Sequence, residues 1–172
     1  MLVSLPPEPS LNPKQQFADV WVKENATTRR VLASVPHDQG EARPIPNMHS
    51  VRELAFVFSK GQSSIANALT GRWEWPGRVP PMPETWDGVL SAFDATTTMV
   101  RDAIATAPLS RLDETIEFFV GPKRTSSIPV AEVIWFMLLD SIHHRGQLSV
   151  FLRALHAKVP SIYGPSADEP WM

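Results

Sequence analysis

The chain has 172 residues, of which 43% are hydrophobic. This is enough for a substantial core and gives no reason to divide residues 1–172 into more than one domain. Sixteen basic and eighteen acidic residues leave a net charge of −2, so the basic surface that binds nucleic acid is not expected. Because the sequence has no cysteine, disulfides, a cysteine nucleophile and thiolate ligands are excluded, and histidine and carboxylate groups are the metal donors that remain.

The first ten residues, MLVSLPPEPS, have no basic segment and are interrupted by three prolines, so they do not predict a secretory signal. The longest apolar run, Val133–Leu139, is far shorter than the roughly 20 residues that span a membrane. We therefore expect a soluble cytoplasmic protein with no membrane and no nucleic-acid partner.

Four segments with helical periodicity alternate with proline-rich connections, which predicts an all-α four-helix bundle. Asn12 followed by Pro13 predicts the start of the first helix, and the capping-box pattern from Ser50 to Glu53 predicts the start of the second. A partly extended crossover with a turn at Gly121–Pro122 is expected before the last helix, which should be the longest. The helices are predicted near residues 12–35, 50–70, 85–107 and 129–156.

Two features predict contacts between distant parts of the chain. Glu24 and Thr28 lie in the middle of the apolar face of the first helix, which predicts a hydrogen bond across the bundle. Residues 159–166 form a proline-rich tail, which we expect to dock on the bundle and to bury Ile162 and the ring of Tyr163.

The second helix and the connection after it carry further packing signals. Gly61 weakens the helix by up to about 1 kcal/mol relative to alanine, which indicates close packing against a neighbour. The segment from Trp73 to Pro83 contains four prolines and is not expected to form a regular helix. Its tryptophans, Trp73 and Trp75, predict a cover over the bundle end, a pocket rim or a dimer contact.

The last predicted helix carries a polar pair on its apolar stripe. Asp140 and His144 are four residues apart, so they lie one turn above the other among the stripe residues Val133, Met137, Leu148, Phe151 and Leu155. Burying such groups costs several kcal/mol unless they have partners. Asp140 could accept a hydrogen bond from His144 or from Arg145, or the pair could form half of a divalent metal site. Two donors do not make a site, so the residues alone favour a structural pair.

The run HHRGQLSV at residues 143–150, followed by VPSIYGPSADE at residues 159–169, resembles the DinB/YfiT-like family. The likeness extends to TRRVL at residues 28–32 and ELA at residues 53–55. The resemblance implies a four-helix bundle with long crossover connections, often dimeric, whose members include metal-dependent thiol transferases. It therefore suggests a homodimer that acts on a small molecule, with a low-molecular-weight thiol as one candidate.

The resemblance also implies a metal site, from which this sequence departs. Members typically place three histidines on nickel, zinc or a similar ion, one from the second helix and two from an H-x-x-x-H pair on the last. His144 matches the final ligand, but Asp140 and Val57 stand at the other two positions. Aspartate can bind a metal through oxygen, whereas valine cannot. Glu53, one turn before Val57, is a candidate third ligand; His143 projects about 100° away from His144.

Three hypotheses remain open at this stage. The first is a rebuilt site in which Asp140, His144 and Glu53 hold a divalent metal such as nickel or zinc and support transferase or hydrolase-like chemistry. The second is a bundle with no tightly bound cofactor that binds a small molecule or has a stress-associated role. The third is an enzyme that uses Asp140 and His144 as an acid/base pair without metal. Loss of two of the three histidines favours the second; the sequence assigns no catalytic residue and no substrate.

Overall fold

The computed structural model describes residues 12–77 and 80–171. The four predicted helices are confirmed, each within two residues of its expected ends, and the last is the longest at 25 residues. None of the helices in these ranges is long and apolar enough to cross a bilayer. The expectation that residues 1–10 carry no secretory signal lies outside the described residues. The helices are α1 (Pro13–Ala33), α2 (Val51–Thr70), α3 (Trp86–Thr106) and α4 (Val130–Ala154).

Local hydrogen bonds set the ends of the first two helices. The side chain of Asn12 accepts a hydrogen bond of 2.9 Å from the backbone N–H of Gln15, which caps α1. At the start of α2, Ser50 and Glu53 each accept a hydrogen bond from the backbone N–H of the other, which is the complete capping box. Gly71 ends α2 with φ of 74°, a conformation that glycine adopts without steric cost. These ends therefore follow from the local sequence.

The structure contains a β-hairpin between α3 and α4, which the predicted all-α class does not include. Strand β1 (Thr115–Gly121) pairs antiparallel with β2 (Arg124–Pro129), so the expected extended crossover is a two-stranded sheet. Its turn follows Gly121, as predicted, and Lys123 there has φ of 59°. The prediction missed the pairing because two short strands are stabilised mainly by what they pack against. Here the indole N–H of Trp73 donates a 2.9 Å hydrogen bond to the carbonyl oxygen of Glu117, which ties the hairpin to the segment after α2.

The interior contains two apolar clusters, one beside the hairpin and the other beside the C-terminal tail. The hairpin-side cluster includes Phe17, Trp21, Ile65, Leu69, Val100, Ile134 and Leu138. The tail-side cluster includes Val31, Leu32, Leu54, Phe58, Phe93, Leu148 and Phe151. Both clusters draw residues from all four helices, so each helix contributes to both halves of the core.

A polar layer separates the two clusters. It consists of Glu24 and Thr28 on α1, Gln62 on α2, Thr97 on α3 and Arg145 on α4, each lying along its helix between residues of one cluster and residues of the other. Buried polar groups need partners, because an unpaired one costs about 1–3 kcal/mol. Among the described residues, Arg145 is paired with Glu24 and Thr28, and Thr97 is hydrogen-bonded to Asn25. Neither amide atom of Gln62 has a hydrogen-bond partner there.

Candidate functional site

Arg145 is the charged side chain that α4 buries most completely, with 1% of it exposed. Its Nη2 lies 2.6 Å from Oε2 of Glu24, and its Nη1 donates to the carbonyl oxygen of Glu24 at 3.0 Å and to Oγ1 of Thr28 at 3.4 Å. The predicted hydrogen bond across the core from Glu24 and Thr28 is therefore confirmed. From the sequence, Arg145 was expected only as a hydrogen-bond partner of Asp140, although its spacing from Leu138 and Leu148 places it on one stripe with them.

The C-terminal tail completes this network. The hydroxyl of Tyr163 accepts a 2.7 Å hydrogen bond from Nη2 of Arg145 and donates one of 2.8 Å to Oε2 of Glu24. Ile162 packs against the tail-side cluster, so docking of the tail is confirmed. The predicted burial of the Tyr163 ring is wrong, because 67% of the residue is exposed; one face of the ring lies 5.2 Å from Cζ of Arg145.

Asp140 and His144 lie at the edge of the core rather than within it. Their side chains are 38% and 21% exposed, and Oδ1 of Asp140 is 3.5 Å from Nε2 of His144. That is an ion-pair distance, longer than an ordinary hydrogen bond. The predicted position of the pair on the buried face is therefore wrong by one residue, or about 100° around the helix. The face that α4 buries consists of Val130, Val133, Ile134, Leu138, Arg145, Leu148, Phe151 and Leu152.

An open hollow of about 380 Å³ lies beside His144 at this edge. It is lined by His49 at the start of α2 and by His144 and Gln147 on α4, together with Asn47 and Met48. Nδ1 of His144 is 3.0 Å from Oε1 of Gln147, whose Nε2 is 3.0 Å from Nε2 of His143. Gln147 therefore connects the two imidazole rings through its side-chain amide.

Both carboxylate oxygens of Glu53 already accept hydrogen bonds. One accepts the helix-capping hydrogen bond from the backbone N–H of Ser50 at 2.7 Å, and the other accepts a hydrogen bond from Nη2 of Arg43 at 2.9 Å. The hydrogen bond from Ser50, followed by that from Arg43, lowers the pKa of Glu53 to about 2. Glu53 is thus anionic, as a metal ligand must be, but both of its oxygens already have partners.

A cavity of about 350 Å³ opens between α2, the segment that follows it and α4. We call it the tryptophan cavity. Trp73 and Trp75 line it. Of the three roles predicted for these tryptophans, the structure therefore shows the pocket rim. Their rings are stacked with centroids 6.2 Å apart and planes 8° from parallel. The other lining residues are Lys60, Ser63, Ser64, Asn67, Arg72, Glu74, Gly77, Pro80 and Met137.

The tryptophan cavity adjoins the edge that carries Asp140. Met137 lines the cavity and lies one turn before Asp140 on α4, while Lys60 lies one turn after Val57 on α2. The two helices approach closely here, since a Cβ atom on Gly61 would lie 3.3 Å from Oγ of Ser141. The close packing predicted at Gly61 is therefore confirmed, and the cavity and the hollow lie along the same pair of helices.

Comparison with known proteins decides the family. The model of the family described as "DinB family" matches residues 9–171. The chain belongs to the DinB family. It is 22% identical over 154 residues to the uncharacterized protein YrdA of Bacillus subtilis (strain 168), covering 89% of each chain.

Solved DinB-like structures share the fold. A DinB-like protein from Bacillus cereus ATCC 10987 matches with a TM-score of 0.73 and 18% identity, over 87% of this chain and 97% of the other. The DinB-like protein YjoA from Bacillus subtilis matches with a TM-score of 0.69 and 15% identity, over 84% and 96% of the two chains. At these identities the likeness concerns the fold alone.

The metal donors expected for a DinB protein do not come together here. Asp140 and His144 supply one oxygen and one nitrogen donor, Val57 supplies none, and Glu53 is held by its cap. Among residues 12–77 and 80–171, no three histidine or carboxylate side chains form a group that could hold a metal ion. A tetrahedral site with protein ligands needs at least three donors. These residues therefore do not fit a three-histidine type of site.

Proposed function

We propose that this DinB-family protein is a four-helix bundle that binds a small molecule in the tryptophan cavity and does not depend on a tightly held metal. The observation that carries the proposal is the cavity itself. Its volume of about 350 Å³ falls within the roughly 300–1,000 Å³ typical of ligand pockets. Its described lining combines two tryptophans with polar and charged side chains, so it offers both apolar contact area and groups that orient a ligand.

The side chains of the cavity are suited to selective binding. Ser63, Ser64 and Asn67 offer hydroxyl and amide groups from one side of α2, so they form a polar part of the lining. Met137 adds an adaptable apolar contact from α4. Polar groups of this kind fix the orientation of a ligand, while the tryptophans supply most of the contact area.

A screen of small aromatic compounds and low-molecular-weight thiols by saturation-transfer NMR tests the proposal. Ser64→Trp places a bulky ring in the cavity, and Ser91→Trp makes the same change at an exposed position of α3. We expect compounds that bind the wild type to bind Ser91→Trp equally well and to lose binding to Ser64→Trp. Equal binding to both variants, or no binding to the wild type, would overturn the assignment of the cavity.

A metal-dependent thiol transferase is the second candidate function. Asp140 and His144 favour it, because they lie within 3.5 Å of each other and beside the hollow that His49 also lines. With only these two donors a divalent ion would need two or more waters to complete its shell, so we infer weak binding. A cytoplasmic location and a homodimer remain predictions for both candidates.

Calorimetric titration with nickel and zinc, on protein without a histidine tag, separates the two candidates. We expect weak binding to the wild type and tight binding to the double variant Val57→His, Asp140→His, which restores the histidines of the family pattern. Tight stoichiometric binding to the wild type that is lost in His144→Ala would instead establish a rebuilt site and favour the transferase.

A further inference from the structure

We infer that a small cavity inside the bundle, lined by Glu24, Gln62 and Ser141 among others, holds one ordered water molecule that hydrogen-bonds to the side-chain amide of Gln62. We call it the inner cavity. This site is separate from the tryptophan cavity, so the inference does not depend on the proposed function. It follows from three observations: the position and size of the inner cavity, the unpaired amide and the acceptors that line the same space.

The inner cavity lies where α1, α2 and α4 face one another. Helices α1 and α2 both pack mainly against α3 and α4, so they stand diagonally across the bundle. Residues of both nevertheless line this one space, together with residues of α4. Its volume of about 20 Å³ exceeds the roughly 10–15 Å³ that a water molecule needs and is far below that of a pocket for an organic ligand. The inner cavity therefore has room for one water.

Gln62 brings a buried amide to the inner cavity. Only 4% of the residue is exposed, and neither Oε1 nor Nε2 has a hydrogen-bond partner in residues 12–77 and 80–171. Nearly all buried polar groups in native proteins are bonded to protein or to ordered water, because an unpaired group loses the bonds that it makes to solvent in the unfolded chain. A water molecule in the inner cavity supplies the missing partner.

The inner cavity also offers the further acceptors that hold a buried water, which typically makes about three hydrogen bonds. Oε2 of Glu24 takes the bonds from Arg145 and Tyr163, which leaves Oε1 of Glu24 as an acceptor. Oγ of Ser141 donates to a backbone carbonyl of its own helix at 2.9 Å and keeps its lone pairs. A water in the inner cavity can therefore accept a bond from Nε2 of Gln62 and donate to Glu24 and Ser141.

Water suits the inner cavity better than an ion does. The carboxylate of Glu24 is balanced by Arg145 at 2.6 Å, so it needs no second cation, and an anion would be repelled by it. The amide of Gln62 combines a donor with an acceptor, which calls for a neutral molecule that can both accept and donate. The volume of the inner cavity limits that molecule to the size of water.

A crystal structure at a resolution that shows ordered water tests the inference on the unaltered protein. We expect one peak of density in the inner cavity, within about 2.7–3.2 Å of an amide atom of Gln62 and of Oε1 of Glu24 or Oγ of Ser141. An inner cavity without density would overturn the inference. A direct hydrogen bond from the Gln62 amide to a protein atom would overturn it as well, since the amide would then need no water.

Magnetic relaxation dispersion of water oxygen then counts the long-lived internal waters in solution. Gln62→Met keeps the length of the side chain and removes both polar atoms, while Gln16→Met makes the same change at an exposed position of α1. We expect Gln62→Met to lose one long-lived water relative to the wild type and Gln16→Met to lose none. Equal counts in the three proteins would show that Gln62 holds no water. Thermal melts confirm that each variant is folded, and the wild-type crystal structure decides the question if Gln62→Met does not fold.

Discussion

Two ion pairs that involve neighbouring turns of α4 differ in distance, in burial and in the segments that they join. Glu24 and Arg145 approach to 2.6 Å, join α1 to α4 and share the hydroxyl of Tyr163. Asp140 and His144 approach only to 3.5 Å, belong to the same helix and remain partly exposed. The first pair therefore connects three segments of the chain, whereas the second connects two neighbouring turns.

The comparison shows that burial and connectivity decide what a charged pair contributes. Removing one partner of a buried pair leaves a charge with neither water nor counter-ion, which costs several kcal/mol. An exposed pair loses little, because water replaces the missing partner. For the same reason Asp140 and His144 are free to change without loss of the fold, which is compatible with the departure of this chain from the three-histidine pattern.

The largest effect is expected for Arg145→Leu. It leaves the carboxylate of Glu24 largely buried without its counter-ion, so the free energy of unfolding should fall by about 3–5 kcal/mol. Urea denaturation of the variant measures this loss, with Arg101→Leu on the exposed face of α3 as the control. A loss below 1 kcal/mol would show that Glu24 reaches water and that the two pairs are not different in kind. The double variant Glu24→Leu, Arg145→Leu should recover part of the loss, since it removes both charges.

Truncation after Lys158 should have the next largest effect. It removes Val159 and Ile162 from the tail-side cluster and Tyr163 from the Glu24–Arg145 network. We expect a loss of about 2 kcal/mol and a melting temperature lower by about 4–8 °C, measured by circular dichroism. Truncation after Glu169, which keeps Val159, Ile162 and Tyr163 and removes the exposed Trp171 with its hydrogen bond to Ser161, is the control. An unchanged melting temperature after the longer truncation would mean that the tail adds nothing to the buried pair.

Titration of Tyr163 reports on the same network without removing any atom. It is the single tyrosine of the chain, so absorbance at 295 nm follows it alone. Desolvation, and then the hydrogen bond to Glu24, raise its pKa above the usual 10.0, against the opposing charge of Arg145. Because the folded pKa is the higher one, this contribution to stability is present below pH 10 and is lost as the pH rises through the folded pKa.

We expect the titration midpoint of Tyr163 to lie above 10.0 in the wild type and to fall in Glu24→Gln. Asp140→Asn makes the equivalent change in the exposed pair and should leave the midpoint unchanged. A wild-type midpoint at or below 10.0 would contradict the placement of the hydroxyl beside the carboxylate of Glu24.

The smallest effect is expected for Asp140→Asn. The pair with His144 is partly exposed and long, so the free energy of unfolding should change by less than about 0.5 kcal/mol. Urea denaturation of Asp140→Asn and of Arg145→Leu under the same conditions compares the losses in the free energy of unfolding. A loss of about 2 kcal/mol or more would show that the pair is a structural element of the fold and would remove the contrast between the two pairs.

The sequence by itself determined where the helices begin and end, because the residues that cap them act locally. The cap at Asn12, the capping box from Ser50 to Glu53 and the glycine at position 71 act within one turn of the backbone, so their structural result can be predicted from neighbouring residues. Family membership was also predictable, because it is recognised from the order of residues such as HHRGQLSV and those of the tail. The match of the DinB family model to residues 9–171 confirms it.

Tertiary structure alone decided which side of α4 faces the core. The stripe through Asp140 and His144 and the stripe through Ser141 and Arg145 both pass among apolar residues, so helical spacing could not choose between them. Packing chose the second stripe, because Glu24 from α1 offers Arg145 a counter-ion that no residue near it in the sequence supplies. Likewise, the pairing of β1 with β2 needed the aromatic contacts of Trp73 and Trp75.

The tryptophan cavity could not have been predicted for the same physical reason. Its walls combine α2, the segment from Arg72 to Gly77 and Met137, which is about 60 residues further along the chain. Each lining residue has an ordinary local role: Lys60 is a polar residue on a helix, and Trp75 lies in a proline-rich connection. Their common volume exists only once the helices have packed and the hairpin supports the indoles, so the sequence determined the residues while tertiary contacts determined the site.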